Sequence, residues 1–272
     1  MIRTTPPSDP TAFRRPRLAL FGGVAAEWVK IWTLRSHRIL VIAGVVLIAG
    51  SGAMFSLGLL ARLTDPRFAG QTISAVPMQF VDGVLWAQIL VAVLAVLAVS
   101  GEYASGQIRL SLLALPTRLP WLAGKAAVLA AVGFMIGVAG AGSSLTASSL
   151  ILGGSDVLYA PSWGETLGLV LRSGLYLAAI AAFAVGVTAV LRNVVAALTT
   201  VLGMLVVLPL VLSSIPGVDR LADFMPTFAG RRLISDFDSM AQLAPWPGYG
   251  VLVTWAVGAV AVAGVLLKAR DA

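Results

Sequence analysis

The 272 residues are 58% hydrophobic and only 11% charged, whereas a soluble globular domain carries roughly 25% charged residues; a water-soluble chain is excluded and a membrane protein expected. Nineteen Lys and Arg against twelve Asp and Glu leave a net charge of +7, but the cations flank apolar runs, which fits membrane topology and anionic headgroups rather than nucleic acid. There is no cysteine and one histidine, His37; disulfides, thiolate metal sites and cysteine nucleophiles are excluded, and His37, between Arg35 and Arg38, reads as an exposed side chain beside the membrane.

Residues 1–17 hold four prolines and four arginines without an apolar period, the composition of a disordered basic tail. From Leu18 to Arg38 apolar residues recur at helical spacing, interleaved with Glu27, Lys30 and Arg38. Trp28 and Trp32 beside these charges fit an amphipathic helix in the headgroup plane, or equally the start of the first span.

A bilayer core takes about 20 apolar residues to cross. Six stretches qualify: about 39–60, 84–100, 126–152, 167–191, 194–212 and 249–267. The fold class expected is therefore all-α and polytopic, a single transmembrane domain over 18–272. The third span carries Gly133 and Gly137 and then a run of Gly, Ser and Thr, a pattern for close helix packing with hydroxyls available to bond across helices. In the fourth, Arg172 is the candidate intramembrane polar site, read first as snorkelling or paired. Arg192 and Asn193 form a tight turn, and Pro209 is expected to kink or end the fifth span. Between 213 and 248, short apolar groups suggest small helices resting on the membrane or dipping into it.

With six spans both termini share one side. That side carries 13 Lys and Arg against 5 on the other, Arg172 set aside. The excess marks it as cytoplasmic, which makes the chain a multi-pass protein with cytoplasmic termini and puts the loop after the second span in the cytoplasm.

That loop, 101–125, is read as the helix continuing past the membrane, followed by a short second helix. Glu102 and Arg109 lie seven residues apart and so share a face, with Gly106 between them on the same side permitting close approach or a bend. Pro116 and Pro120 punctuate the chain before the next span. Such a charged knob suits docking on a soluble partner.

The run GEYASGQIRLSLLALPTRLPWLAGKAAVLA, 101–130, resembles the segment between the second and third spans of bacterial ABC-2 type transporter permeases. AEWVKIWTLRSHR, 26–38, is similar to that family's amphipathic opening segment, and DFMPTFAGRRLI, 223–234, with APWPGYGVLVTWAV, 244–257, and the closing KARDA resembles the outer loop and last span of actinobacterial members. The chain departs from the family at Gln107, where Thr is frequent, and at Pro226-Thr227-Phe228-Ala229-Gly230, where Pro-Ser-Asn-Ala-Gly is common.

The resemblance implies a permease subunit of an ATP-binding cassette transporter in the bacterial plasma membrane, generally an exporter, pairing with a second permease protomer and with a cytosolic ATPase. It assigns coupling to that ATPase to Glu102, Tyr103, Gly106, Ile108 and Arg109, with Arg118 flanking, and an interfacial helix to Glu27, Trp28, Lys30 and Trp32. No cofactor is expected on this chain. ATP belongs to the partner, because a phosphate loop needs Gly-x-x-x-x-Gly-Lys-Ser/Thr and Gly124-Lys125 has Leu119 and Ala126 at the other two positions. An intramembrane protease lacks its carboxylates or histidines within the spans. The remaining alternative is a non-transporting membrane subunit or receptor using the same loop for another cytosolic partner.

Overall fold

The computed structural model describes residues 16–104, 106, 118–235 and 243–269, with side chains for all of these but 16–23, 104 and 118. Among the described residues the architecture is helical, with one isolated bridge between Ser74 and Leu158. The helices are α1 Pro16–Thr33, α2 Arg35–Thr64, α3 Gly83–Ala104, α4 Arg118–Leu152, α5 Trp163–Leu191, α6 Val194–Ser213, α7 Asp219–Ala222, α8 Pro226–Arg231 and α9 Pro245–Ala269. Six of them are long and apolar enough to cross a bilayer: α2, α3 with the short turn before it, α4, α5, α6 and α9. The chain is a polytopic all-α membrane protein.

Observed helices overrun the expected spans because polar residues can continue a helix once it leaves the apolar core. At 30 and 35 residues, α2 and α4 exceed the roughly 20 that a bilayer needs, and the excess carries Arg35, Arg38 and Lys125. The start of α5 is set by Ser162, whose hydroxyl accepts the Glu165 N–H at 3.2 Å while the Glu165 carboxylate accepts the Ser162 N–H at 3.1 Å, a reciprocal cap. This start precedes the expected one by about a turn, so Arg172 stands nine residues into the helix.

Helix α5 is the axis of the bundle: 72% of its most apolar window is buried, against 22% for α2 and for α6. It packs most extensively on α4, then on α9 and α3. Gly133 and Gly137 make the first of these contacts possible. A Cβ on Gly133 would stand 2.6 Å from the Leu177 carbonyl oxygen, and one on Gly137 would stand 2.5 Å from that of Ser173. The small-residue pair is a packing device. The hydroxyls that follow mostly bond their own helix four residues back; Ser144 crosses to the Phe80 carbonyl.

The turn at Arg192 and Asn193 forms as expected. Arg192 takes the left-handed conformation, φ 54°, its N–H donating to the Thr188 carbonyl at 2.8 Å, and the Asn193 side chain caps α6 by accepting the Ala196 N–H at 3.0 Å. Pro209 neither ends nor sharply breaks α6. A π-helical turn at Gly203–Val207 precedes it, widening the helix where the proline ring would meet the carbonyl one turn back and where no N–H is available to bond it.

After α6 the chain turns back into the bundle. Helix α8 packs on the π-turn of α6 and on α9, Gly230 sits against Tyr176 and Leu252, and the Trp255 indole donates to the Phe224 carbonyl at 2.9 Å. The short helices expected for this segment are present as α7 and α8, and α8 packs on the bundle. One buried amide fixes it, for Gln88 Oε1 accepts both the Tyr176 hydroxyl at 2.7 Å and the Thr227 hydroxyl at 3.2 Å.

Candidate functional site

Helix α1 presents an unusual face to the bundle. Glu27, Lys30 and Ile31 turn inward, while Trp28 and Trp32, edge-on to each other with ring centroids 6.0 Å apart, are the exposed residues. Of the four interfacial residues expected from the sequence, the aromatic pair faces the surroundings and the charged pair faces protein. The chain breaks at Leu34, whose extended ψ of 121° separates α1 from α2. That settles the choice the sequence left open: α1 is a helix of its own.

The inward charges meet two others. Lys30 Nζ donates to Glu27 Oε1 at 2.8 Å and to Glu102 Oε1 at 2.5 Å; Lys125 Nζ donates to Glu27 Oε2 at 2.7 Å and to Glu102 Oε1 at 2.9 Å. The result is a closed square of alternating sign joining α1, α3 and α4. Glu102 Oε2 takes the Trp121 indole N–H at 3.2 Å, and Lys125 gives a further bond to the Ala98 carbonyl at 3.2 Å. Two cations and two anions cancel, so Lys125, Glu102 and Glu27 are taken out of water beside counterions, as buried charges require, while Lys30 stays about a third exposed. Burial pulls the Lys30 ammonium toward lower pKa, but bonds to Glu102 and Glu27 outweigh it and hold the group above its ordinary value.

Tyr103, next to Glu102, continues the cluster sideways. Its ring lies edge-on to Trp121 at 6.4 Å and beneath the Arg192 guanidinium at 5.7 Å, a cation–π contact that ties the end of α3 to the turn between α5 and α6. Just beyond, α3 stops. Gly106 has φ 70°, a left-handed residue at the helix end that glycine adopts without steric cost.

These positions revise the sequence expectations in three respects. Glu102 is not a surface group on a docking knob: its side chain is 5% exposed and carries three donors. The helix that carries Glu102 ends at Ala104, with Gly106 left-handed beyond it, so a single unbroken helix does not run through 102–109; where Arg109 falls lies outside the described residues. His37 is not exposed; it is buried in the first turn of α2. Ile108 and Arg109 lie outside the described residues. Arg118 opens α4, its side chain likewise outside them. Arg172 is half-buried on α5 and takes no part in the square.

Sequence reasoning missed Lys125 and Trp121 as members and Glu27 and Lys30 as inward-facing. The available signal was charge at helical spacing with Ile31, on a stripe otherwise apolar.

Comparison with known proteins adds no identification. No family model matches the chain, and a search of curated proteins finds no match.

Proposed function

We propose that this chain is the membrane-spanning permease subunit of an ATP-binding cassette exporter, driven by a separate ATPase that docks on the loop after the second span. The reading starts from the ordered resemblance of four segments to ABC-2 type permeases. The structural observation that supports it is the charge square: it lies at the foot of segment 105–117 and joins the two helices flanking that segment to α1. A rigid, internally neutral knot there can pass a push on the loop to several spans at once, which is what coupling two membrane conformations requires.

In this reading the termini and the loop are cytoplasmic, a second permease protomer completes the pathway, and nucleotide stays on the partner. Glu102 then acts by fixing where the loop begins, whereas Ile108 and Arg109 make the contact. The test is gentle-detergent purification of the tagged chain from its own membrane, with mass spectrometry of what accompanies it. A nucleotide-binding ATPase in stoichiometric amount, lost in the Ile108→Ala/Arg109→Ala variant, is expected. A different stoichiometric soluble partner, with no ATPase, overturns the reading in favour of a non-transporting subunit or receptor.

A further inference from the structure

Helices α6 and α9 both pack on α5 and make almost no contact with each other, which leaves a groove between them with α5 as its floor. Its volume is about 880 Å³, in the upper part of the range of small-molecule sites. Helix α8 packs on both walls, so protein rather than lipid sets their separation. On α9 the lining runs from Pro247 to Val262 along one face, about 22 Å at 1.5 Å per residue, most of the roughly 30 Å of a bilayer core. The groove is long and narrow. Thr200, Thr254 and Val262 on its walls remain exposed, so it opens sideways, toward hydrocarbon.

The lining selects the ligand. No residue along it is ionisable, so a charge placed there meets no counterion. Phe183 and Trp255 stand edge-on at 6.4 Å and make an aromatic floor. One polar atom is left over. Thr188, Thr199 and Thr254 each donate to a carbonyl four residues back, but the Thr200 hydroxyl, exposed in the groove, bonds nothing among the described residues. Thr200 stands six residues into α6, about 9 Å inside the span, where no water is at hand and an unmet hydroxyl is costly. One turn on, the π-helical stretch puts Met204 on the same wall, an unbranched side chain that adapts to its neighbour. A helix from a second copy, about 10 Å wide, exceeds the volume of the groove over the same length.

We propose that this groove binds an elongated, uncharged lipophile with a carbonyl part-way along it. The carbonyl oxygen accepts the Thr200 hydroxyl, and the hydrocarbon lies along α9 between Gly250 and Val262, over Phe183 and Trp255. The ligand enters from the bilayer. Binding here does not depend on a transport activity.

The experiment uses the purified full-length chain in phosphatidylcholine nanodiscs, irradiated with 4-dodecylbenzophenone, whose ketone is both the acceptor and the photoreactive group. Adducts are counted by intact mass and mapped by peptide analysis. Saturable labelling confined to 200–206 and 250–262 is expected. Phenyl 4-dodecylbenzoate, which keeps a carbonyl, should compete roughly threefold to tenfold better than 4-dodecyldiphenylmethane, which lacks one, as a single hydrogen bond predicts. Thr200→Val removes that difference between the competitors. Gly258→Leu, which fills open space in the wall, lowers labelling tenfold or more without lowering the melting temperature. Should that variant melt lower, Gly250→Leu is read in its place. Labelling that does not saturate and follows lipid exposure over α2 and α6, equal competition by the two compounds in the parent, or unchanged labelling in the groove-filling variant overturns the proposal. So does labelling seen in the monomer and lost in a dimer, in favour of a second copy covering the groove.

Discussion

Glu102 on α3 and Lys125 on α4 meet at 2.9 Å with side chains 5% and 1% exposed, so the two helices flanking segment 105–117 are locked by a buried ion pair. Removing one partner leaves the other with a single ionic partner, Lys30 for Glu102 or Glu27 for Lys125, and unbalances the square, a cost below the roughly 3–5 kcal/mol of a fully stranded buried charge, whereas replacing both with apolar groups is often neutral. Lys125→Met and Glu102→Ala are each expected to lower the thermal midpoint in detergent strongly. The double variant Glu102→Leu/Lys125→Met should recover part of the loss, within the limit that Glu27 and Lys30 keep each other as partners. Additive losses in the double variant would show that the pair is not energetically coupled.

The same square separates what was legible in the sequence from what was not. The six spans followed from apolar runs of bilayer length, since a membrane leaves the backbone no alternative to a helix. The packing role of Gly133 and Gly137 and the turn at Arg192 followed from local chemistry. The square did not. Glu27 and Lys125 are 98 residues apart and Lys30 and Glu102 are 72 apart, and nothing local tells a charge that caps a span from one that enters the bundle. His37 was misplaced for the same reason, because flanking arginines describe the chain and not the face on which an imidazole falls.

Helix α5 owes its central place to backbone contact with α4, which makes the glycines there unequal to those elsewhere. Gly137→Ala puts its methyl against the Ser173 carbonyl and should be severely destabilising, as should Gly133→Ala against Leu177. Gly250→Ala and Gly258→Ala on α9 meet only open space and should leave the midpoint within about 0.5 kcal/mol of the parent. Comparable losses in both pairs would refute the packing account.

Gln88, Tyr176 and Thr227 hold the inward-turning segment through one amide oxygen. Tyr176→Phe and Thr227→Val each remove one donor and keep the shape. Each is expected to cost on the order of 1 kcal/mol, and Gln88→Leu, which leaves both hydroxyls without an acceptor, more than either. Thr227→Val should in addition raise proteolytic cleavage or hydrogen exchange across 219–234 without changing it in α4. Uniform protection across the chain would mean the segment is held by packing alone.

Lys30 gives the square a pH signature. Its pKa is raised in the folded chain above the ordinary 10.5, so the folded state binds this proton more tightly than the unfolded state does. The resulting stability is therefore complete below the unfolded value and is lost as pH rises through the folded one. Lys30→Gln should lower the melting temperature in detergent at pH 8, and the gap to the parent should close progressively above about pH 10.5 as the parent loses the proton that the variant never held. A gap that stays constant into strong alkali would mean that Lys30 contributes through its aliphatic stem and not through its charge.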